Sequence, residues 1–248
     1  MGKLDSKVAV VTGAGKGLGR AIAILFAAEG ADVAVVDLSA QRATDAAAEI
    51  ASRGRRSLGL GSDVSDEGEV QHAFERVAAE LGEVDILVNN AGIDTTSEVE
   101  SMPVEMWDEM LRVNLRSVFL CTRAVLPSMR RRRSGRIINI ASQLAQKGAA
   151  TMAHYSAAKA GVIGFTRSLA IEVAADGVLV NAIAPGPLDT DLWRALPDSW
   201  RARKLTEVPL GRPGTVEEVA PTALLLASAD GSYYLGATLN PNGGDVMV

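Results

Sequence analysis

The sequence predicts an α/β chain: one parallel, doubly wound sheet of seven strands, flanked by helices in a single domain. Three observations predict it. Short, near-continuous runs of Val, Ile, Leu and Ala alternate with longer helical stretches from end to end, as strands buried on both faces of a parallel sheet require. The 24 glycines and the 48% hydrophobic content supply tight turns and a large core. The first apolar run also ends in a glycine-rich turn that opens a helix, Thr12-Gly13-Ala14-Gly15-Lys16-Gly17-Leu18-Gly19.

Taken in order, residues 8–11 and 32–36 read as the first two strands, with a helix near 18–29 between them. A helix near 40–53 leads to a strand at 57–61, and one near 67–81 leads to a strand at 85–88. A long helical stretch over 104–132 precedes the strand at 136–140, and a helix near 155–175 precedes the strand at 178–183. A helix near 216–228 and a strand at 237–239 close the series. This alternation implies right-handed βαβ crossovers. Residues 187–213 break the rhythm with prolines and with Trp193 and Trp200. They follow a strand end, where open α/β sheets bind ligands, so the segment reads as a substrate lid near 187–213 rather than a second domain.

Composition narrows the function. A net charge of −5 and 4% aromatics leave little for phosphate contacts or base stacking, which argues against nucleic acid. No apolar run approaches the ~20 residues that span a bilayer, and the start of the chain lacks a signal-peptide pattern, so a cytoplasmic protein is expected. The single cysteine, Cys121, gives neither an intramolecular disulfide nor a metal-ligand spacing. The arginine run at 130–133 reads as a solvated, dipole-complementing helix end.

The glycine turn points to a nucleotide. Glycines let the backbone approach a pyrophosphate, and the helix start behind them offers free N–H groups and a positive dipole end. The spacing is Thr-Gly-xxx-Gly-x-Gly, with Gly13, Gly17 and Gly19 at the key positions and Gly15, Lys16 and Leu18 between them. Asp37 ends the second strand, with Leu38 beside it. A carboxylate there can accept from both ribose hydroxyls of NAD and repel the 2′-phosphate of NADP. Lys16 could contact such a phosphate, but the like-charge clash favours NAD. Asp63-Val64 follows the third strand and serves either the adenine amino group or the next helix as a cap. Asn89-Asn90-Ala91-Gly92 forms a turn after the fourth strand.

Ser142, Tyr155 and Lys159 form a Ser-x12-Tyr-xxx-Lys array. Tyr and Lys four residues apart share one helix face. A nearby ammonium favours the phenolate, the arrangement needed to move a proton on or off an alcohol oxygen as a hydride leaves or arrives at the carbon.

With these motifs in hand, the chain resembles the short-chain dehydrogenase/reductase family. The likeness rests on the glycine turn, the segment from Asn89 to Gly92, the set Asn114, Ser142, Tyr155 and Lys159, and the Pro185-Gly186 turn with Thr190 behind it. The resemblance implies a seven-stranded Rossmann sheet, a homotetramer, and hydride transfer between a nicotinamide and a carbonyl or secondary alcohol carbon without a metal. Tyr155 is then the proton-transferring group, Lys159 its partner and a ligand of the nicotinamide ribose, and Ser142 a hydrogen-bond donor to the substrate oxygen. Asn114 supports a water relay through its carbonyl, and Thr190 contacts the nicotinamide.

Asp94, Gln143, Gln146, Lys147 and His154 fall where this family places substrate contacts, and Trp193 could cover an apolar part of the substrate. That polar set, with Asp37, leads to the expected function: NAD-dependent oxidation of a small sugar, polyol or hydroxy compound. The alternative is an NADPH-dependent 3-oxoacyl-carrier-protein reductase, which Gly-Arg-Ile-Ile-Asn-Ile and the Asn-Gly-Gly near the end also resemble. Those reductases generally use NADPH and lack an acid where Asp37 stands, and they commonly carry an arginine where this chain has Ile171. A non-catalytic nucleotide-binding protein is the rival from another class, and the intact Asn–Ser–Tyr–Lys set argues against it.

Overall fold

The computed structural model describes residues 2–248. Seven strands form one sheet: β1 (Val8–Thr12), β2 (Asp32–Asp37), β3 (Ser57–Gly61), β4 (Ile86–Asn89), β5 (Gly135–Ile140), β6 (Val178–Ile183) and β7 (Thr238–Leu239). Their order is β3-β2-β1-β4-β5-β6-β7, and every pairing is parallel. The chain winds outward from β1 in one direction and then, from β4, in the other. The crevice between the carboxyl ends of β1 and β4 is therefore the topological switch point.

The helices are α1 (Gly17–Ala28), α2 (Ala40–Ser52), α3 (Glu67–Glu80), α4 (Val104–Leu111), α5 (Ser117–Arg132), α6 (Leu144–Lys147), α7 (Ala153–Val173), α8 (Asp191–Ala195), α9 (Asp198–Glu207) and α10 (Val216–Ala227). Their starts carry the expected chemistry. The Ser39, Asp66 and Thr215 side chains accept from the Arg42, Glu69 and Glu218 amides, and Glu218 completes a capping box. Residues of β1, β2 and β4 are buried on both faces. One face packs Ile22, Phe26, Ile50 and Leu224 from α1, α2 and α10. The other packs Phe74, Val77, Val125, Met129 and Leu169 from α3, α5 and α7.

The predicted strands are all present. One expectation differs. The stretch 104–132 is not one helix: a π turn over Arg112–Arg116 separates α4 from α5. The 187–213 segment folds into α8 and α9.

Candidate active site

A cavity of about 1070 Å³ runs over the carboxyl ends of the strands, from the glycine turn past Asp37 and Asp63 to Tyr155, Lys159 and the helices α8 and α9. Its first wall is the turn after β1. Gly13 has φ +61°, and a Cβ there would lie 2.8 Å from the Ala91 Cα, so only glycine fits both the left-handed backbone and the close approach. The turn after β4 holds this wall in place. Asn90 Nδ2 donates to the carbonyls of Thr12 (2.9 Å) and Gly13 (3.1 Å), while the Asn90 and Ala91 amides donate to Thr12 Oγ1 at 3.0 and 3.1 Å. Gly17 has open space on its Cβ side, with Thr190 Cγ2 the nearest atom at 3.8 Å. A cradle tight behind the turn and open in front of it fits a pyrophosphate at the start of α1.

Asp37 is buried and fully engaged. Its Oδ2 accepts from the Gly15 amide (3.0 Å), and its Oδ1 accepts from the Ser39 amide (2.9 Å) and from Arg42 Nε (3.2 Å) and Nη2 (2.9 Å). Gly15 packs against this pair, since a Cβ there would lie 2.6 Å from the Arg42 Cβ. Arg42 lines the cavity beside Asp37 and Leu38. Sequence reasoning missed it, although an arginine five residues past a strand-ending aspartate was a legible signal. Lys16 turns toward α8, where its ammonium pairs with Asp191 at 3.2 Å.

Asp63 and Val64 line the cavity, but the cap of α3 is Asp66. Asp63 Oδ1 accepts from the Ser65 amide at 2.9 Å, and Oδ2 pairs with Arg112 at 2.9 Å. Burial works to raise the Asp63 carboxyl, but hydrogen bonds from Ser65 and Arg112 hold it below its ordinary range.

At the other end, α7 presents Tyr155 and Lys159 on one face. Lys159 is buried, its Nζ donates to the Ile140 carbonyl (2.9 Å), and it lies 5.9 Å from the Tyr155 ring centroid. Burial brings its ammonium down to about 8, with Asp94 working the other way. The Tyr155 phenol is pushed well up by burial, with Asp94 adding to the shift and Ser142 opposing it. Burial thus favours the protonated phenol at Tyr155, the opposite direction to the phenolate that the Lys159 spacing favours.

Ser142 Oγ donates to Gln143 Oε1 (3.0 Å) and accepts from the Leu144 amide (3.1 Å). Asn114 is buried in the π turn. Its Nδ2 donates to the Ile93 carbonyl at 3.0 Å and the Met110 carbonyl at 3.2 Å, while its Oδ1 has no partner. Gly92 packs on it, with a Cβ there 2.6 Å from Asn114 Oδ1. The Pro185 carbonyl accepts from the Gln143 amide at 3.1 Å, and Gly186 lies against Asn242. Thr190 caps α8. The predicted catalytic and cofactor-binding residues all line this cavity except Gly15, which packs against Asp37 and Arg42, and Gly19, which packs against Asn90 and the Gly13 carbonyl. A buried polar ladder lies beneath the site: Asn89 Nδ2 donates to Asn139 Oδ1 at 2.8 Å, and Asn139 Nδ2 donates to Thr166 Oγ1 at 2.9 Å.

The polar substrate candidates scatter. Asp94, Gln143 and Trp193 line the cavity, whereas Gln146, Lys147 and His154 do not. His154 is buried with Nε2 2.7 Å from Thr95 Oγ1, and Lys147 pairs with Glu207 and Asp245. The same cavity is also lined by Leu144, Met152, Leu192, Trp193, Leu196 and Trp200 from α6, the start of α7 and the α8–α9 segment, with the two indoles edge to face at 6.1 Å.

The sequence profile of the short chain dehydrogenases matches residues 7–200. The chain belongs to that family. It is 44% identical over 244 residues to the 3-oxoacyl-acyl-carrier-protein reductase of Salmonella typhimurium, covering 98% of this chain and 99% of that protein. It is 44% identical over 247 residues to the enzyme of the same name from Escherichia coli K12, and 40% identical over 243 residues to that from Staphylococcus aureus Mu50. Coverage in both is 98% of this chain and 99% of the relative. As a family member the chain is an oxidoreductase acting on a carbonyl or CH–OH carbon.

These relatives overturn the expected NAD-dependent oxidation of a small sugar or polyol. The physical reason is the lining: three of the five polar residues on which that expectation rested, Gln146, Lys147 and His154, lie outside the cavity, and six large apolar side chains line it. NAD as the cofactor is corrected with it. The relatives are named 3-oxoacyl-acyl-carrier-protein reductases, the group for which NADPH was the expectation, and the Asp37 carboxylate that was to accept ribose hydroxyls is taken up by Arg42 and two backbone amides, those of Gly15 and Ser39. The arginines at 130–133 are also less free than expected. Arg130 pairs with Asp176 and Glu172, Arg131 with Glu83, and Arg132 with Asp85.

Among the described residues no helix is long and apolar enough to cross a membrane.

Proposed function

We propose that this protein reduces 3-oxoacyl thioesters to 3-hydroxyacyl thioesters with NADPH. The observation that carries the reading is the set of large apolar side chains, Leu144, Met152, Leu192, Trp193, Leu196 and Trp200, in the cavity that Tyr155 also lines, which suits an acyl chain. The similarity to reductases of that name supports it over nearly the full chain. The glycine turn would hold the pyrophosphate, with Arg42 and Lys16 for the 2′-phosphate. Arg42 already neutralises Asp37, and the exposed Lys16–Asp191 pair is of a kind worth only about 0–1 kcal/mol, so Lys16 is free to turn inward. Asp63 and Val64 would face the adenine; Asn90, Ala91, Gly92, Pro185, Gly186 and Thr190 would line the nicotinamide half.

NADPH, when bound, supplies the hydride. The Tyr155 phenol gives its proton to the carbonyl oxygen as that oxygen gains charge, and Ser142 turns its hydroxyl from Gln143 to the same oxygen. Lys159 holds the phenolate that results, and Asn114 supports proton resupply. Helices α8 and α9 cover the acyl chain and exclude water. A cytoplasmic homotetramer belongs to the same reading.

The test is steady-state reduction of a 3-oxoacyl thioester, carried on coenzyme A and on acyl carrier protein, followed by NADPH absorbance. Both thioesters should turn over, and Tyr155→Phe should lose at least about 100-fold in kcat while binding NADPH normally. A chain that leaves both thioesters untouched would sink the proposal. The coenzyme A arm matters because Ile171 is 82% exposed where those reductases commonly carry an arginine.

A further inference from the structure

Lys204 on α9 is 3% exposed and lines the cavity. Its Nζ lies 2.5 Å from Asp245 Oδ2, and the other carboxylate oxygen of Asp245 lies 2.7 Å from Lys147 Nζ. The Asp245 side chain is fully buried. Glu207 Oε2 completes the cluster, 3.0 Å from Lys147 and 3.3 Å from Lys204. Two ammonium groups and two carboxylates balance, so the α9 wall presents no net charge to the cavity.

The two lysines come from different helices, each of which has another residue lining the cavity, Leu144 on α6 and Trp200 on α9, though Lys147 itself does not line it. Lys147 ends α6, the short helix that follows Ser142, and Lys204 lies one helical turn beyond Trp200. Asp245 comes from the chain end, and that end is itself pinned. Asn242 Nδ2 donates to the Val246 carbonyl at 2.8 Å, Asn242 Oδ1 accepts from the Gly244 amide at 3.0 Å, and the Gly243 carbonyl accepts from the Leu210 amide at 3.2 Å. Only Lys147 of the four charged residues lies within the stretch that the family profile matches, residues 7–200.

We propose that Asp245 is a positioning residue for the substrate pocket, clasping α9 of the substrate cover to the α6 segment behind Ser142. A buried ammonium without its counter-ion is strongly unfavourable. Loss of the Asp245 carboxylate leaves Lys204 only the longer contact at 3.3 Å to the partly exposed Glu207, which drives Lys204 toward water and carries α9 away from Ser142 and Tyr155. The glycine turn and Arg42 lie at the far end of the cavity, so nucleotide binding is unaffected. The proposal rests on reading α8 and α9 as the cover of an acyl thioester.

Asp245→Asn, with Lys204→Met and the double variant, tests it through thioester kinetics, NADPH titration and hydrogen exchange of residues 198–207. Asp245→Asn should raise KM for the thioester at least tenfold, leave NADPH affinity within twofold, and speed exchange in α9 while the sheet stays protected. The double variant should be no worse than the poorer single one, because the pair acts as a unit. Should Asp245→Asn not fold, Lys147→Met at its partly exposed position carries the same expectation at several-fold. Unchanged KM and α9 protection overturn the proposal, as does a uniform loss of KM, kcat, nucleotide binding and melting temperature. Wild-type protein inactive on every thioester, with α9 exchange still governed by Asp245, would instead sink the substrate reading and leave the clasp standing.

Discussion

Asp94 carries a carboxylate in the catalytic cavity with no hydrogen-bond partner among the described residues, under the influence of the Lys159 ammonium. Its neighbours are fixed: the Ile93 carbonyl takes a bond from Asn114, and Thr95 bonds His154. Burial pushes the Asp94 carboxyl from 3.8 up to about 6, with Lys159 pulling the other way. A carboxyl that binds its proton more tightly in the folded state favours folding below pH ~4, and that contribution is lost as pH rises through about 6. At pH 7.5 the charged form therefore costs up to about 3 kcal/mol. Asp94→Asn should raise unfolding free energy by about 1–3 kcal/mol at pH 7.5 and by little at pH 4. Denaturation at the two pH values checks this, and a variant no more stable at pH 7.5 contradicts it. The Asp94 carboxylate also supports the Lys159 ammonium, so the same variant should move the alkaline limb of turnover to lower pH.

The strands were readable because β1, β2, β4 and most of β5 are buried on both faces, and two-faced burial leaves near-continuous apolar runs. The π turn over Arg112–Arg116 was not readable, since one extra residue in a helical turn leaves no residue signature. Its effect is local: it breaks the helix ladder where Asn114 must reach the Ile93 carbonyl. The α8–α9 pair was hidden by its prolines, which read as breakers. Pro197 in fact sits at the N-cap of α9, outside the helical ladder. Asp37 was legible as a site residue and misread as free, because the Arg42 contact comes from the next helix. The glycine turn was the most legible element, and its geometry makes a firm prediction. Gly13→Ala must hold φ +61° and push on the Ala91 backbone at 2.8 Å, at a cost of about 2 kcal/mol or more. A thermal melt of Gly13→Ala matching the parent chain would contradict that reading.

At the scale of the molecule, one cavity over the switch point between β1 and β4 joins the glycine turn to Tyr155, Lys159 and the helices α8 and α9. Arg42 and Lys16 line it beside the glycine turn and Asp37, and Lys204 on α9 is balanced within its cluster with Lys147, Glu207 and Asp245. Of the arginines at 130–133, Arg130, Arg131 and Arg132 pair with neighbouring acids, in a chain whose net charge is −5. In the proposed NADPH reading, the Asp37–Arg42 pair turns a strand-ending carboxylate into a site that accepts a 2′-phosphate. Paired calorimetric titration of the parent chain and Arg42→Ala with NADPH and NADH tests this. The parent should bind NADPH at least about tenfold tighter, a difference of roughly 1.4 kcal/mol, and Arg42→Ala should lose the preference. NADH binding as tightly as NADPH in the parent chain would contradict it.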